Sequence, residues 1–205
     1  MAFSGWTPEA FDVLAQLQGD PPLSVRESLS KDRESLVRAP MVELLADLAA
    51  RDPSYADHAV WHYGKISWWW QNQASTIRID RNIEIGIGLN FDGLSVRGAW
   101  WYGDAVQRER FRAAVAGRPG ARLQRIVDGL VERGYEISGD RMSRVPKGYP
   151  ADHRRADLLR HRSLIAGHHL GLEEWLGTPA AIDKVDAAAR ELRPMLEWLS
   201  DHVAG

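Results

Sequence analysis

Ile77-Arg78-Ile79-Asp80-Arg81-Asn82-Ile83-Glu84-Ile85-Gly86-Ile87-Gly88-Leu89-Asn90-Phe91-Asp92-Gly93-Leu94-Ser95-Val96-Arg97-Gly98-Ala99-Trp100 is the stretch that decides the fold. Up to Phe91 the apolar side chains occupy odd positions, while Arg78, Asp80, Asn82, Glu84, Gly86, Gly88 and Asn90 occupy even ones. A period of two belongs to a strand with one buried face. Asp92-Gly93 predicts a type I′ hairpin turn, after which Leu94, Val96, Gly98 and Trp100 resume the alternation. With Asp92 and Gly93 as the loop, Phe91 pairs with Leu94, Leu89 with Val96, Ile87 with Gly98 and Ile85 with Trp100. The other face then sets Asn90 against Ser95, Gly88 against Arg97, Gly86 against Ala99 and Glu84 against Trp101.

On both sides of this hairpin the period is helical. Thr7-Pro8-Glu9 reads as an N-cap, a first-turn proline and a first-turn acid, followed by Phe11, Leu14 and Leu17. Ser24 to Glu27 has capping-box spacing before a helical stretch reaching Leu48, and Pro40 is expected to kink it near Arg38. Beyond the hairpin, Asp104 and Gln107 repeat that spacing. Leu123, Ile126, Val127, Leu130 and Val131 form a stripe closed by Gly134, and Tyr135 to Ile137 suggest a short strand. Pro146-Lys147-Gly148-Tyr149-Pro150 is a rigid irregular segment feeding a helix from about Asp152 to Arg162, and Thr178-Pro179 opens the last helix. The expected class is α+β: an antiparallel sheet with a central Asp-Gly hairpin, flanked by N-terminal and C-terminal helices, as one domain over residues 1–205.

Composition narrows the functional classes. The 26 Lys plus Arg against 28 Asp plus Glu leave a net charge of −2 over 205 residues, which argues against a polybasic nucleic-acid-binding design. With 44% hydrophobic and 26% charged residues the chain reads as folded rather than disordered, with no membrane span. Cys is absent, which excludes disulfides, thiolate metal sites and a cysteine nucleophile. Residues 1–18 carry no signal-peptide pattern, so a cytoplasmic location is expected. Phosphate-loop, dinucleotide and serine-elbow motifs are missing as well, and no cofactor is expected.

Several motifs together are similar to a known family. Phe3-Ser4-Gly5-Trp6 resembles its Phe-x-Gly-aromatic start, and Ala39-Pro40-Met41 its Ala-Pro-Met. Asp92-Gly93-Leu94, then Pro146-Lys147-Gly148-Tyr149-Pro150-Ala151-Asp152-His153 with Asp157-Leu158-Leu159-Arg160, resemble its later motifs. The family is the bacterial and fungal domain of unknown function 2461. This resemblance implies the fold and brings no established activity with it. One departure stands out: where members usually carry a charged run of the type Arg-Phe-x-x-Asp-Lys-Ser-Pro-Tyr-Lys, residues 62–75 here hold Trp68, Trp69, Trp70 and amides. An anionic ligand of that run would be lost or replaced.

Six of the nine Trp lie between Trp61 and Trp101. Trp68, Trp69, Trp70, Gln71 and Gln73 supply stacking faces and neutral amides suited to a flat, cationic or polyol ligand. Against this stands plain core packing, with Trp68 and Trp70 on one face of a strand and Trp69 on the other. Gly86 and Gly88 leave bare backbone beside Glu84, Arg97 and Trp101. A pocket between these two regions, with Tyr149, Asp152 and His153 at its rim, is the leading expectation. His62 or His153 would move protons there, and Asp157 or Glu84 would orient them. His153, Asp157 and His161 are spaced i, i+4, i+8, which on a continuous helix suits either acid/base work or a metal; no metal is expected. The basic cluster Arg154, Arg155, Arg160 and Arg162 reads as a solvated helix face. The functional expectation is therefore a small-molecule-binding protein or cofactor-independent acid/base enzyme. The alternatives are a Trp-mediated interaction module or homodimer and, more weakly, single-stranded nucleic-acid binding.

Overall fold

The computed structural model describes residues 2–63 and 67–205, without the side chains of Ser67 and Trp68. In chain order the elements are α1 (Pro8–Gln16), α2 (Leu23–Asp32), a π-helical turn (Arg33–Arg38), α3 (Ala39–Arg51), β1 (His58–Val60), α4 (Ser67–Gln71), β2 (Asn72–Asp80), β3 (Ile83–Asn90), β4 (Gly93–Trp100), α5 (Ala105–Ala116), α6 (Gly120–Glu132), β5 (Glu136–Ser138), α7 (Ala156–Leu159), β6 (Leu164–Gly171) and α8 (Ala180–Leu199). The six strands form one antiparallel sheet in the order β1-β2-β3-β4-β6-β5. The class is α+β, with helices at both termini. No described helix is long and apolar enough to cross a membrane.

The hairpin keeps the expected faces but not the expected register. β3 ends at Asn90 and β4 begins at Gly93, so Phe91 and Asp92 make the turn. The Trp101 N–H donates to the Asn82 carbonyl at 2.9 Å, and Ser95 Oγ donates to the Gly88 carbonyl at 3.3 Å. The pairing is thus two residues away from the Asp92-Gly93 loop scheme. Of residues 91–93 only Gly93 has positive φ, at 116°, so the turn is not type I′. Because the slip is even, each side chain stays on its predicted face.

Two compact units divide the chain: residues 1–77, 86–96 and 169–188, and residues 78–85, 97–168 and 189–205. In the first, Val37, Met41, Leu44, Leu45 and Leu48 are fully or almost fully buried, as are Ile87, Leu89, Leu94 and Val96. The expected kink appears as the π-helical turn Arg33–Arg38, running directly into α3 with Pro40 in its first turn. A proline lacks the N–H that would continue the i−4 ladder, and a widened turn absorbs the interruption. β2 starts earlier than the apolar alternation suggests, at Asn72, since its inward positions Gln73 and Ser75 are polar. Ser75 Oγ donates to the Ile87 carbonyl at 3.3 Å.

In the second unit Trp100, Phe111 and Trp198 pack ring on ring, at 5.0 and 6.2 Å between centroids. A side chain at Gly98 would press on Leu192 and Met195 of α8, so this glycine permits the close helix-on-sheet approach. Asp104 caps α5 as expected, its Oδ1 accepting from Gln107 N at 2.8 Å. Gly134, at φ 88°, closes α6, and Tyr135 N reaches back to the Leu130 carbonyl at 3.0 Å.

The helix expected from Asp152 to Arg162 is not formed; α7 holds only four residues. Arg155 is the reason. Its guanidinium is buried and donates to the carbonyls of Val115 (2.6 Å), Ala116 (2.8 Å) and Gly117 (2.8 Å), satisfying the orphan acceptors at the end of α5. Its backbone sits at φ −120°, ψ 35°, outside helical geometry.

Candidate functional site

The expected site residues fall into both units. In the first, the tryptophan run forms α4 rather than a strand. The Trp68 side chain lies outside the described residues. Trp70 is 8% exposed and leans on the Tyr63 ring at 4.4 Å; Trp69 stacks on Trp61 at 6.1 Å. The amides expected to meet a ligand bond within the chain. Gln73 Oε1 accepts from Arg33, its Nε2 donates to the Trp61 and Ala74 carbonyls, and Gln71 Oε1 accepts from Gly19 N. His62 is exposed and stacks on Tyr63 at 4.3 Å.

In the second unit the His153, Asp157 and His161 stripe dissolves along with its helix. His153 Nδ1 accepts from Arg155 N at 3.1 Å. Asp157 is exposed and pairs with Arg141 at 2.6 Å and Arg160 at 3.3 Å, contacts of about 0–1 kcal/mol each in water. His161 is buried, its backbone forms an isolated antiparallel β-bridge with Arg141, and its Nδ1 lies 3.0 Å from the Ser163 carbonyl; burial holds its pKa below the usual imidazole range. No group of three His, Asp or Glu that could hold a metal occurs among the described residues. Tyr149 is half-buried and Asp152 exposed.

The second unit does build a site around Trp101. Trp100 anchors the end of β4 in the core, Trp101 follows, and Tyr102 is 90% exposed with φ +49°. A non-glycine residue in the left-handed region costs roughly 1–2 kcal/mol, and such strain concentrates where a side chain must be presented in one place. Gly103 must lack a side chain, because a Cβ would meet the Trp100 ring at 2.4 Å. The Trp101 and Tyr102 rings stack at 6.2 Å, and the Arg97 guanidinium lies 5.1 Å from the Trp101 ring. Together with Arg108, Asp140, Arg162 and Ser163, this aromatic pair lines a cleft of about 470 Å³.

Its electrostatics are cationic. Arg108 makes no side-chain hydrogen bond or salt bridge among the described residues, although it lies in the field of Asp104. Arg162 pairs with Asp140 at 3.3 Å, and Ser163 Oγ accepts from Asp140 N at 2.7 Å. A neighbouring cleft of about 410 Å³ shares Arg108 and Arg162 and adds Arg112, itself paired with Glu109 at 2.8 Å. Three arginines thus stand against two carboxylates, Asp140 and Glu109.

Beside Trp101, Glu84 is half-buried, and burial pushes its pKa up against the opposing pull of Arg97, the Trp101 indole and Arg78. The Trp101 indole Nε1–H contributes to that pull without meeting any acceptor in hydrogen-bond geometry among the described residues, and Arg97 Nε is likewise buried without a partner there. Burial also lowers Arg97, which Glu84 counters. A raised carboxyl pKa makes the folded state bind its proton more tightly, so this contribution to stability is complete below the ordinary Glu range and disappears as pH rises through the folded pKa. The stability advantage of wild type over Glu84→Gln, measured by urea denaturation across pH 3–7 (a range on the order of the Glu titration), is therefore expected to be largest at the acid end. A difference that grows with pH would contradict this.

The family can be read at this point. A model of the conserved hypothetical protein family DUF2461 matches residues 67–198. The chain belongs to the DUF2461 family. Comparison with curated proteins finds no match. Within this DUF2461 protein the family match takes in the Asp-Gly hairpin, the Trp101 cleft and the Pro146 to Arg160 motifs, whereas Phe3-Ser4-Gly5-Trp6 and Ala39-Pro40-Met41 precede it. Sequence reasoning found Trp101 and Arg97 but missed Tyr102, Arg108, Asp140 and Ser163 as a group. The available signal was the adjacent aromatic pair ending in Gly103, just before a helix cap.

Proposed function

We propose that this protein binds a planar organic anion, an aromatic or heteroaromatic carboxylate, in the cleft of Trp101, Tyr102 and Arg108. The observation that carries the reading is Tyr102, held almost fully exposed in a strained conformation beside an indole face and a guanidinium with no side-chain partner. Two stacked rings suit a flat apolar body. A guanidinium fork suits a carboxylate bidentately, and the excess of arginine over carboxylate favours one negative charge. A volume of about 470 Å³ lies within the range of small-molecule sites. Glu84, beside Trp101, is where any proton-transfer role would be sought.

Calorimetric titration with 2-naphthoate and with neutral 2-naphthamide tests the proposal. The carboxylate is expected to bind the more tightly. Arg108→Ala should weaken it by roughly 10- to 100-fold, the loss of one charge-assisted contact. Tyr102→Gly should also weaken binding, yet leave stability unchanged or raise it by about 1 kcal/mol through release of the left-handed strain. Equal affinities for acid and amide, or an Arg108→Ala variant that binds like wild type, would remove the basis of the reading.

A second reading, an interaction surface, is favoured by Trp61, which is 50% exposed and stacked on Trp69. It requires a concentration-dependent mass in size-exclusion chromatography that Trp61→Ser abolishes.

A further inference from the structure

The first unit carries a separate cleft of about 490 Å³, between α1, the tip of the hairpin and the segment after β6. Its apolar lining includes Trp6, Phe11, Phe91 and Leu172, and Phe91 and Leu172 remain 43% and 53% exposed. Asp12, Glu173 and Glu174 stand among the lining residues, and no lysine, arginine or histidine does. None of the three carboxylates has a salt bridge among the described residues.

This cleft is built rather than incidental. Gly5, at φ 108°, lies so close to the Gly177 backbone that a Cβ would fall 2.2 Å from its carbonyl carbon. Gly93, at φ 116°, meets the Gly171 carbonyl oxygen in the same way, at 2.1 Å. Trp6 N donates to the Leu176 carbonyl at 2.8 Å. The segment from Gly171 to Gly177 is therefore pinned at both ends by backbone contacts that only glycine allows. The two motifs Phe3-Ser4-Gly5-Trp6 and Asp92-Gly93-Leu94, both part of the family resemblance read from sequence, meet this one segment.

We infer that the cleft binds a small amphiphilic cation, an ammonium group carried on an aryl or alkyl body. The apolar walls take the body, and the unpaired carboxylates favour the cation and repel anions. A folded peptide partner fits less well, since a stable protein interface needs on the order of 800 Å² from each side, far more than this cleft offers. The inference stands apart from the Trp101 cleft, whose charge is of the opposite sign.

The probes are 4-phenylbutylammonium, 4-phenylbutanol and 4-phenylbutyrate, titrated into the full chain and followed by backbone amide NMR shifts. The expected order of affinity is ammonium, then alcohol, then carboxylate, with shifts at Trp6, Leu172 and Gly177. The double variant Glu173→Gln with Glu174→Gln, both exposed positions at the start of a 3-10 turn, should weaken the ammonium by roughly fivefold and leave the alcohol unchanged. Equal binding of ammonium and alcohol, shifts centred elsewhere, or no shifts at about 10 mM probe, a free energy near −3 kcal/mol, would overturn the inference.

Discussion

Arg33→Ala is expected to destabilise the protein by about 3–4 kcal/mol, measured by urea denaturation at neutral pH. Arg33 is fully buried, and among the described residues its guanidinium pairs with no carboxylate. Nε donates to the Trp70 carbonyl and Nη1 to Gln73 Oε1, both at 2.9 Å, while Nη2 reaches the Trp69 and Asn72 carbonyls at 3.4 Å. Its Cζ also lies 5.0 Å from the Tyr63 ring. Burial lowers its pKa to about 10, so it stays charged at neutral pH. Removing it takes away the donor that four acceptors around the start of β2 share, at about 1–3 kcal/mol for a contact that stays dry. Arg33→Met fills much of the same volume and should recover little, because the loss comes from the missing guanidinium hydrogen bonds rather than from an empty space. A methionine variant within about 1 kcal/mol of wild type would show that the guanidinium does not hold this turn together.

Gly93→Ala is expected to cost at least about 3 kcal/mol by the same measurement. Two effects combine. Alanine at φ 116° is strained, and its Cβ would fall 2.1 Å from the Gly171 carbonyl oxygen and 2.3 Å from its carbon, both rigid backbone atoms. Gly19 separates the two, since it also has positive φ, 75°, but no atom within 4 Å of a built Cβ. Gly19→Ala should therefore show the conformational part alone, about 1 kcal/mol. If the two variants lose equal stability, the close approach at Gly93 is not what demands glycine.

The same residue shows where the sequence was legible and where it was not. The alternation from Ile77 to Trp100 fixed the two faces of the hairpin, because period two depends only on which side chains are buried. The register escaped, since Asp-Gly reads locally as a type I′ turn. Gly93 is instead held by the backbone at Gly171, 78 residues on, a contact no local pattern announces. The apolar alternation marks β2 only from Ile77 onward, because its inward Gln73 and Ser75 are polar and are satisfied by Arg33 and the Ile87 carbonyl. The predicted helix through His153, Asp157 and His161 failed through Arg155, whose spacing suggested a solvated face but whose guanidinium closes α5.

Legibility at the site followed the same division. Trp101 and Arg97 stood out by composition and alternation. Gln71 and Gln73 looked like ligand contacts because amides near indoles resemble a binding wall, and only tertiary structure shows them bonded to Gly19, Arg33 and the Trp61 carbonyl. The Trp101 cleft unites Tyr102, Arg108, Asp140 and Ser163 from three separate stretches, so its charge could not be read from any one of them.

The most direct test of the Trp101 cleft is the indole N–H spectrum of the uniformly ¹⁵N-labelled protein during titration with 2-naphthoate, with Trp101 assigned through Trp101→Phe. Saturable movement of the Trp101 signal, with Trp61 and Trp69 stationary and the response lost in Arg108→Ala, is the predicted result. Movement of Trp61 and Trp69 with Trp101 unchanged would contradict the account and return the binding surface to the tryptophan run.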